Sequence, residues 1–185
     1  MKLKLVVATD RHFAWMLGEC AAPRGLSQPP GGIDSDDTLR MLRGLALALR
    51  RRGCRASWLV VDKGVVIGLT SLLQAPDADG QAIFGYGVAP QCRGKGYGRA
   101  MVAAVICRVR AWPTLRILCA ETRVDNLASQ HILAQNGFVR LGSRIDTEDG
   151  LVTVWQRDLR HWYLPHPLHL AHRVRRLCRG TPVDG

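Results

Sequence analysis

The sequence predicts a mixed α/β domain: a sheet of parallel and antiparallel strands with helices on both faces. Three observations carry this. Apolar residues make up 47% and charged residues 22% of 185 positions, the balance of a globular chain long enough to bury a core. Hydrophobic periodicity alternates between strand and helix type in the order β-α-α-β-β-β-α-β-α-β-β. Tight turns in the middle and near the end of that order make hairpins, which exclude an all-parallel sheet.

Leu3 to Ala8 reads as the opening strand, and Thr9 caps a short helix running to about Glu19. Ala21 to Gly32 is a long loop, broken by Pro23, Pro29, Pro30 and three glycines; its length suits either a substrate lid or a plain connector. Ser35 or Asp36 caps a second helix, with Leu39, Leu42, Ala46 and Leu49 on one stripe. It ends in Arg50-Arg51-Arg52-Gly53, where cations in the last turn followed by glycine suit a helix terminus better than a nucleic-acid patch. Ser57 to Val61 and Val65 to Leu73 are strands joined through Asp62-Lys63-Gly64. After the turn Pro76 to Gly80, a third strand covers Ala82 to Val88. A glycine-rich turn leads into a helix from about Tyr97 to Trp112, stopped by Pro113. Leu115 to Glu121 is a strand and Leu127 to Gln135 a helix closed by Asn136-Gly137. Phe138 to Ile145 and Leu151 to Asp158 form the last hairpin through Glu148-Asp149-Gly150.

Charge is the unusual quantity. Lys and Arg number 26 against 15 Asp and Glu, a net +11, and 22 of the 26 are Arg. Such a balance favours phosphates and points to a polyanionic ligand or partner, RNA or ribosome among them; it also arises where Arg simply fills surface cation positions. The six cysteines form no C-x-x-C pair, so no zinc framework is visible and no metal is expected. No apolar run approaches the roughly 20 residues of a membrane span. The apolar start is shorter than a secretory core, and a cytoplasmic location is expected.

Residues 1–158 read as one folded unit and 159–185 as a basic tail of different composition. The tail holds His161, His166, His169 and His172, without metal-ligand spacing. Its stretch Pro167 to Arg179 can form a basic amphipathic helix with Leu170, Val174 and Leu177 on one stripe, suited to an anionic partner, a homodimer contact or a membrane surface, or else to docking on the domain or remaining a solvated tail.

The most informative segment runs from Gly85 to Arg99. It follows a strand and opens a helix, and it interleaves Gly94, Gly96 and Gly98 with Arg93, Lys95 and Arg99. The three glycines are expected to adopt positive φ and let the backbone approach a ligand. The first N–H groups of a helix lack intrahelical partners and sit at the positive end of its dipole, which makes such a turn a phosphate site. Neither the P-loop pattern nor the dinucleotide G-x-G-x-x-G fingerprint is present.

The residues Val88-x-Pro90-x-x-Arg93-Gly94-Lys95-Gly96-Tyr97-Gly98 resemble the acyl-CoA signature R/Q-x-x-G-x-G/A of the GCN5-related N-acetyltransferase (GNAT) family. Gln91-x-x-Gly94-x-Gly96 satisfies the same expression in a second frame, but the frame at Arg93 keeps the Val and Pro spacing. Downstream, Ala120-Glu121-Thr122 through Asn126, Ala128-Ser129, Leu133 and Gly137-Phe138 resembles the branch that contains the ribosomal-protein N-terminal acetyltransferases. The resemblance spans about Leu3 to Asp158.

It implies a GNAT-like fold with a splayed central strand pair, acetyl-CoA as acetyl donor, and direct attack by an amine of a small molecule or a protein N-terminus. It implies that the loop amides from Arg93 to Arg99 hold the pyrophosphate, with Arg93, Gly94, Lys95, Gly96, Gly98 and Arg99 as binding residues. A main-chain N–H near Val88 would polarise the thioester carbonyl. Asn126 would contact the pantetheine region, cap its helix, or do both. Glu121, at the end of a central strand, is the candidate general base, its alternative being a surface ion pair. Relatives commonly carry a proton-donating Tyr seven residues after the helix-start Asn; here that position is Leu133, and Ser129 is the candidate acid in its place. Tyr86 and Tyr97 are further hydroxyls near the site. Relatives in this branch often carry a Glu near Ile83, and its loss puts more weight on Glu121 or on a water chain. The competing reading is a non-catalytic module that senses acyl-CoA or binds nucleic acid on the same fold.

Overall fold

A computed structural model describes residues 1–160; the expected amphipathic segment Pro167–Arg179 and its histidines lie outside the described residues. Seven strands form one sheet in the order β1-β2-β3-β4-β5-β7-β6. They are β1 Lys4–Val7, β2 Ser57–Asp62, β3 Val65–Leu72, β4 Gln81–Val88, β5 Ile117–Arg123, β6 Val139–Asp146 and β7 Gly150–Asp158. Helices α1 (Asp10–Met16) and α2 (Asp36–Arg51) pack together, as do α3 (Tyr97–Val109) and α4 (Leu127–Gln135). The predicted element order holds throughout. Among the described residues no helix is long and apolar enough to cross a membrane.

Strand alternation assigns the faces. Val88 points to α3, where its Cγ2 would lie 3.8 Å from a Cβ on Gly98. Gly85 and Gly87, of opposite parity, point to the α2 face, where Leu73 and Asp34 lie nearest. Met101, Val102, Val105, Ile106 and Val109 of α3 pack one face of the sheet. Phe13 and Met16 of α1 and Leu39 and Ala46 of α2 pack the other.

Local chemistry explains the helix ends. Thr9 caps α1, and its N–H donates to the His12 ring at 3.0 Å; burial holds His12 below the usual histidine range, so the ring accepts as the neutral form. The helix stops at Met16, short of Glu19, because Gly18 turns at φ 77°. Ser35 Oγ accepts from Thr38 N–H at 3.2 Å to cap α2. Arg43 of α2 grips Asp10 at 2.6 Å and Glu19 at 2.7 Å, locking α1 against α2. Helix α3 ends at Val109, before Trp112, because successive tight turns carry the chain through Pro113. The loop between α1 and α2 is neither free nor unstructured: Ser27 bridges Val65, and Ile33 is buried.

The last hairpin does not extend the sheet in sequence order. β7 inserts between β5 and β6, pairing antiparallel with both. β5 therefore runs the whole of its length against β7 and is free to part from β4.

Candidate active site

β4 and β5 are parallel neighbours for only three residue pairs, Gln81–Ile117, Ala82–Leu118 and Ile83–Cys119. Beyond them β4 continues against β3 through Val88, and β5 continues against β7 through Arg123. The two strands splay, leaving a gap between them. On β4, Ile83 and Ala89 bond toward β3. Alternation turns the N–H and C=O groups of Tyr86 and Val88 toward the gap.

At the open end of β4 the chain makes a 3₁₀ turn, Pro90–Cys92, then the turn Arg93 to Gly96 and helix α3. Gly94 and Gly96 have φ of 74° and 78°, the left-handed conformation in which L side chains are strained, and a Cβ at either would meet nothing within 4 Å. Gly98 differs from the expectation. It is helical, and a Cβ there would lie 2.7 Å from Ile132 Cδ1, so it serves the close approach of α3 to α4. Gly96 is the N-cap of α3 and has no side chain to satisfy the helix start. The N–H groups of Gly94 through Arg99 find no acceptor on the described residues. An exposed row of unpaired donors at the positive end of a thirteen-residue helix suits a phosphate.

The cations are arranged around this turn. Arg93 Nε donates to Val88 O at 3.1 Å, and Lys95 Nζ to Gln91 O at 2.9 Å. Arg99 is exposed on the first turn of α3. Tyr97 pins the turn to the sheet by donating to Asp62 at 2.8 Å; that carboxylate raises the phenol above its usual range.

Helix α4 borders the gap. Asn126 Oδ1 accepts from Ser129 N–H at 3.1 Å, so its capping role is realised. Tyr86 Oη reaches Ser129 O at 3.4 Å, and burial raises that phenol. Ser129 Oγ has no hydrogen-bond partner among the described residues. Leu133 is fully buried in the core between α3, α4 and the sheet.

Glu121 lies on β5 beside the gap, opposite in parity to the buried Leu118 and Ala120. Both of its oxygens are engaged by Arg144 of β6, at 2.9 and 2.6 Å, and Arg144 also donates to Asp146 at 2.8 Å. The ion pair foreseen as the alternative for Glu121 is thus present, with Arg144 rather than the neighbouring Arg123, which pairs with Asp125.

On the α2 face of β4 lies a cavity of about 210 Å³, lined by α1, α2 and the β3–β4 floor. Asp34 stands at its edge. Asp34 Oδ1 accepts from Ser35 N–H at 2.8 Å, and Oδ2 would lie 3.5 Å from a Cβ on Gly87. The sequence reading passed over Asp34 because it lies in a loop, far in sequence from β4. Among the described residues no group of three His, Cys, Asp or Glu side chains has the arrangement of a metal site.

A splayed parallel pair beside an uncapped helix start defines an acyl-CoA-dependent transferase fold. The family model described as an acetyltransferase (GNAT) domain matches residues 2–139, and the chain belongs to that family. It is an N-acetyltransferase, moving an acetyl group from acetyl-CoA to an amine. No curated protein matches the chain in sequence. Among solved structures it is similar to RimL, a ribosomal L7/L12 alpha-N-protein acetyltransferase in complex with coenzyme A. The TM-score is 0.64 at 20% identity, over 84% of this chain and 93% of that one. It is also similar to a spermidine N-acetyltransferase SpeG chimera from Vibrio cholerae and hSSAT, at TM-score 0.65 and 17% identity over 86% and 96%. The microcin C7 self-immunity acetyltransferase MccE, in complex with acetyl-CoA and AMP, matches at TM-score 0.63 and 12% identity over 84% and 92%. At these identities the likeness is one of fold.

Proposed function

We propose that residues 1–158 form the catalytic unit. The Arg93–Arg99 turn takes the pyrophosphate of acetyl-CoA, and the β4/β5 gap takes its pantetheine arm. The acceptor amine arrives from the α2 face. The observation that supports this is the juxtaposition of unpaired N–H donors from Gly94 to Arg99 with the strand gap opening at Val88.

Acetyl-CoA supplies an acetyl group activated as a thioester and open to direct attack by a neutral amine. The Val88 N–H, turned into the gap by strand parity, donates to the carbonyl oxygen there, a contact that strengthens as charge develops. Arg93, Lys95 and Arg99 surround the phosphate turn with positive charge, and Gly94 and Gly96 keep its surface open. Asn126 holds the first turn of α4 in place and lines the arm. Ser129, with a free hydroxyl, donates toward the sulfur, and Tyr86 braces the same turn. Glu121 is committed to Arg144, so its part is to fix the β5 side of the gap, and proton removal from the amine falls to the α2 side. This departs from the expectation that made Glu121 the base, and the reason is that both of its oxygens are engaged.

Steady-state release of CoA with a panel of primary amines tests the reading. Turnover that requires both acetyl-CoA and an amine is the expected result. A folded protein that binds acetyl-CoA yet turns over none of the amines would favour the acyl-CoA-sensing alternative.

A second reading, RNA contact, rests on the opposite end of the sheet. The starts of β2, β4 and β5 and the end of β7 lie together there, by the registers Ser57–Ser71, Gln81–Ile117 and Ile117–Asp158. The chain delivers Arg50, Arg51, Arg52, Arg55, Arg108 and Arg116 to that end, all exposed and none in an ion pair with a described residue. From β2 to β7 the surface spans about 19 Å at the usual strand spacing. Guanidinium groups match phosphate geometry, and this end is remote from the strand gap. Binding to single-stranded RNA is expected to fall with salt at a logarithmic slope of about −4 for six phosphate contacts. Salt-independent binding would remove the reading.

A further inference from the structure

The cavity on the α2 face has a chemistry of its own. Its walls are Phe13 of α1 and Met41 and Leu42 of α2, and its floor is Leu69 of β3 with Gly85 and Gly87 of β4. Two of the large apolar side chains most exposed to solvent, Met41 at 59% and Leu73 at 47%, stand on its lining. The serine and threonine side chains on its lining are already engaged within the protein, whereas Trp58 Nε1, also on the lining, is buried without a hydrogen-bond partner among the described residues. Ser57 and Ser71 bond each other at 2.7 Å, Thr70 donates to Gly85 O at 2.9 Å, and Thr38 Oγ1 meets Ser35 Oγ at 2.9 Å. Among the described residues Asp34 is the one charged residue on the lining, and its Oδ2, unlike Oδ1, has no partner there. It stands over Gly87, next to the strand segment that turns its main chain into the gap. At about 210 Å³ the cavity is smaller than the roughly 300–1,000 Å³ of drug-sized ligand sites.

We infer that the acceptor is a primary amine with a single positive charge and one compact apolar substituent, its ammonium on Asp34 and its apolar body against Phe13, Met41, Leu42 and Leu69. The inference rests on the transferase reading and adds the substrate class. A polyamine requires several carboxylates along its length, and the cavity offers one. A polar side chain beside the amine would lose its hydration against groups already satisfied within the protein. A free alkyl or arylalkyl amine and the amino-terminal residue of a peptide beginning with Leu or Phe share this chemistry. Asp34 Oδ2 orients the amine, and the proton leaves the ammonium to solvent water beside Asp34, which is exposed.

The experiment compares kcat/KM for 3-methylbutylamine, 2-phenylethylamine, a Leu-initiating peptide, a Ser-initiating peptide and spermidine, with calorimetric binding of each in the presence of CoA. The apolar amines or the Leu peptide are expected to exceed spermidine and the Ser peptide by on the order of tenfold or more. Whichever apolar source is faster identifies the origin of the acceptor. Asp34→Asn is expected to lower kcat/KM by about ten- to a hundredfold, the range for losing a charged hydrogen bond, with acetyl-CoA affinity unchanged. Met41→Glu, on an exposed helix position that tolerates charge, is expected to shift the preference toward spermidine. Wild-type preference for spermidine or the Ser peptide, or an Asp34→Asn variant with unaltered kinetics, would overturn the inference. Calorimetric binding of the apolar amines without any turnover would count against the transferase reading while upholding the cavity.

Discussion

Replacing Gly96 with glutamate is expected to abolish acetyl-CoA binding, and calorimetric titration of the folded variant is the measurement that checks it. Two physical terms act in the same direction. Gly96 sits at φ 78°, so any side chain with a Cβ carries backbone strain of about 1–2 kcal/mol there. Open space surrounds the position, so the strain arises from the backbone and not from collision. The added carboxylate then lies at the positive end of α3, among the N–H groups from Gly94 to Arg99, and takes the place of an incoming phosphate. Losing two charge-assisted hydrogen bonds, at about 1.5–3 kcal/mol each, weakens binding by more than a hundredfold. Gly96→Asn is the control. Asparagine tolerates the left-handed conformation and adds no charge, so it is expected to retain most of the affinity. Equal loss in both variants would mean that backbone shape, and not the anion site, governs the turn. Undiminished binding by Gly96→Glu would move the pyrophosphate elsewhere and remove the central support for the proposed mechanism.

The parts of this site that were legible in the sequence are the local ones. Glycines alternating with cations between a strand and a helix specify a phosphate turn from their own conformational limits, and the structure has that turn at Gly94 and Gly96. Asn126 reads as a cap because its side chain needs only the N–H three residues on. Gly98 departs from the expected positive φ for an equally physical reason. A run of alternate glycines looks uniform in sequence, but the third falls inside the helix, and what it must accommodate is Ile132 of α4. The long-range terms were out of reach. Nothing around Glu121 signals Arg144, which lies 23 residues on and reaches it from β6 across the intervening β7. Asp34 looks like one more loop aspartate until the fold stands it over Gly87. Both points concern which carboxylate the fold leaves without a partner, a property set by tertiary contacts and not by spacing.

Leu133 tests whether the missing tyrosine of this family is a defect or an alternative design. Restoring it as Leu133→Tyr is expected to destabilise the protein and to leave acetyl transfer no faster. Leu133 is the fully buried residue of α4, packed in the cluster that holds Phe84, Phe138 and Val102. A tyrosine there overfills a packed core, at about 1–3 kcal/mol. Its hydroxyl, buried among apolar groups, costs about another 1–3 kcal/mol if unpaired. Together these lower the melting temperature by roughly 10 °C in a chain of this size. The hydroxyls that do border the gap lie one helical turn earlier, where Ser129 Oγ is free and Tyr86 reaches the Ser129 carbonyl. Ser129→Ala is accordingly expected to keep the melting temperature and to lower kcat by about two orders of magnitude, the lower end of the range for a positioned proton donor. A stable Leu133→Tyr variant with a raised kcat would show that the phenol reaches the reacting sulfur from α4 after all. It would then make the serine a residue of the helix cap and nothing more. Loss of stability without gain in rate places the donor at the first turn of α4, where the free hydroxyl already stands.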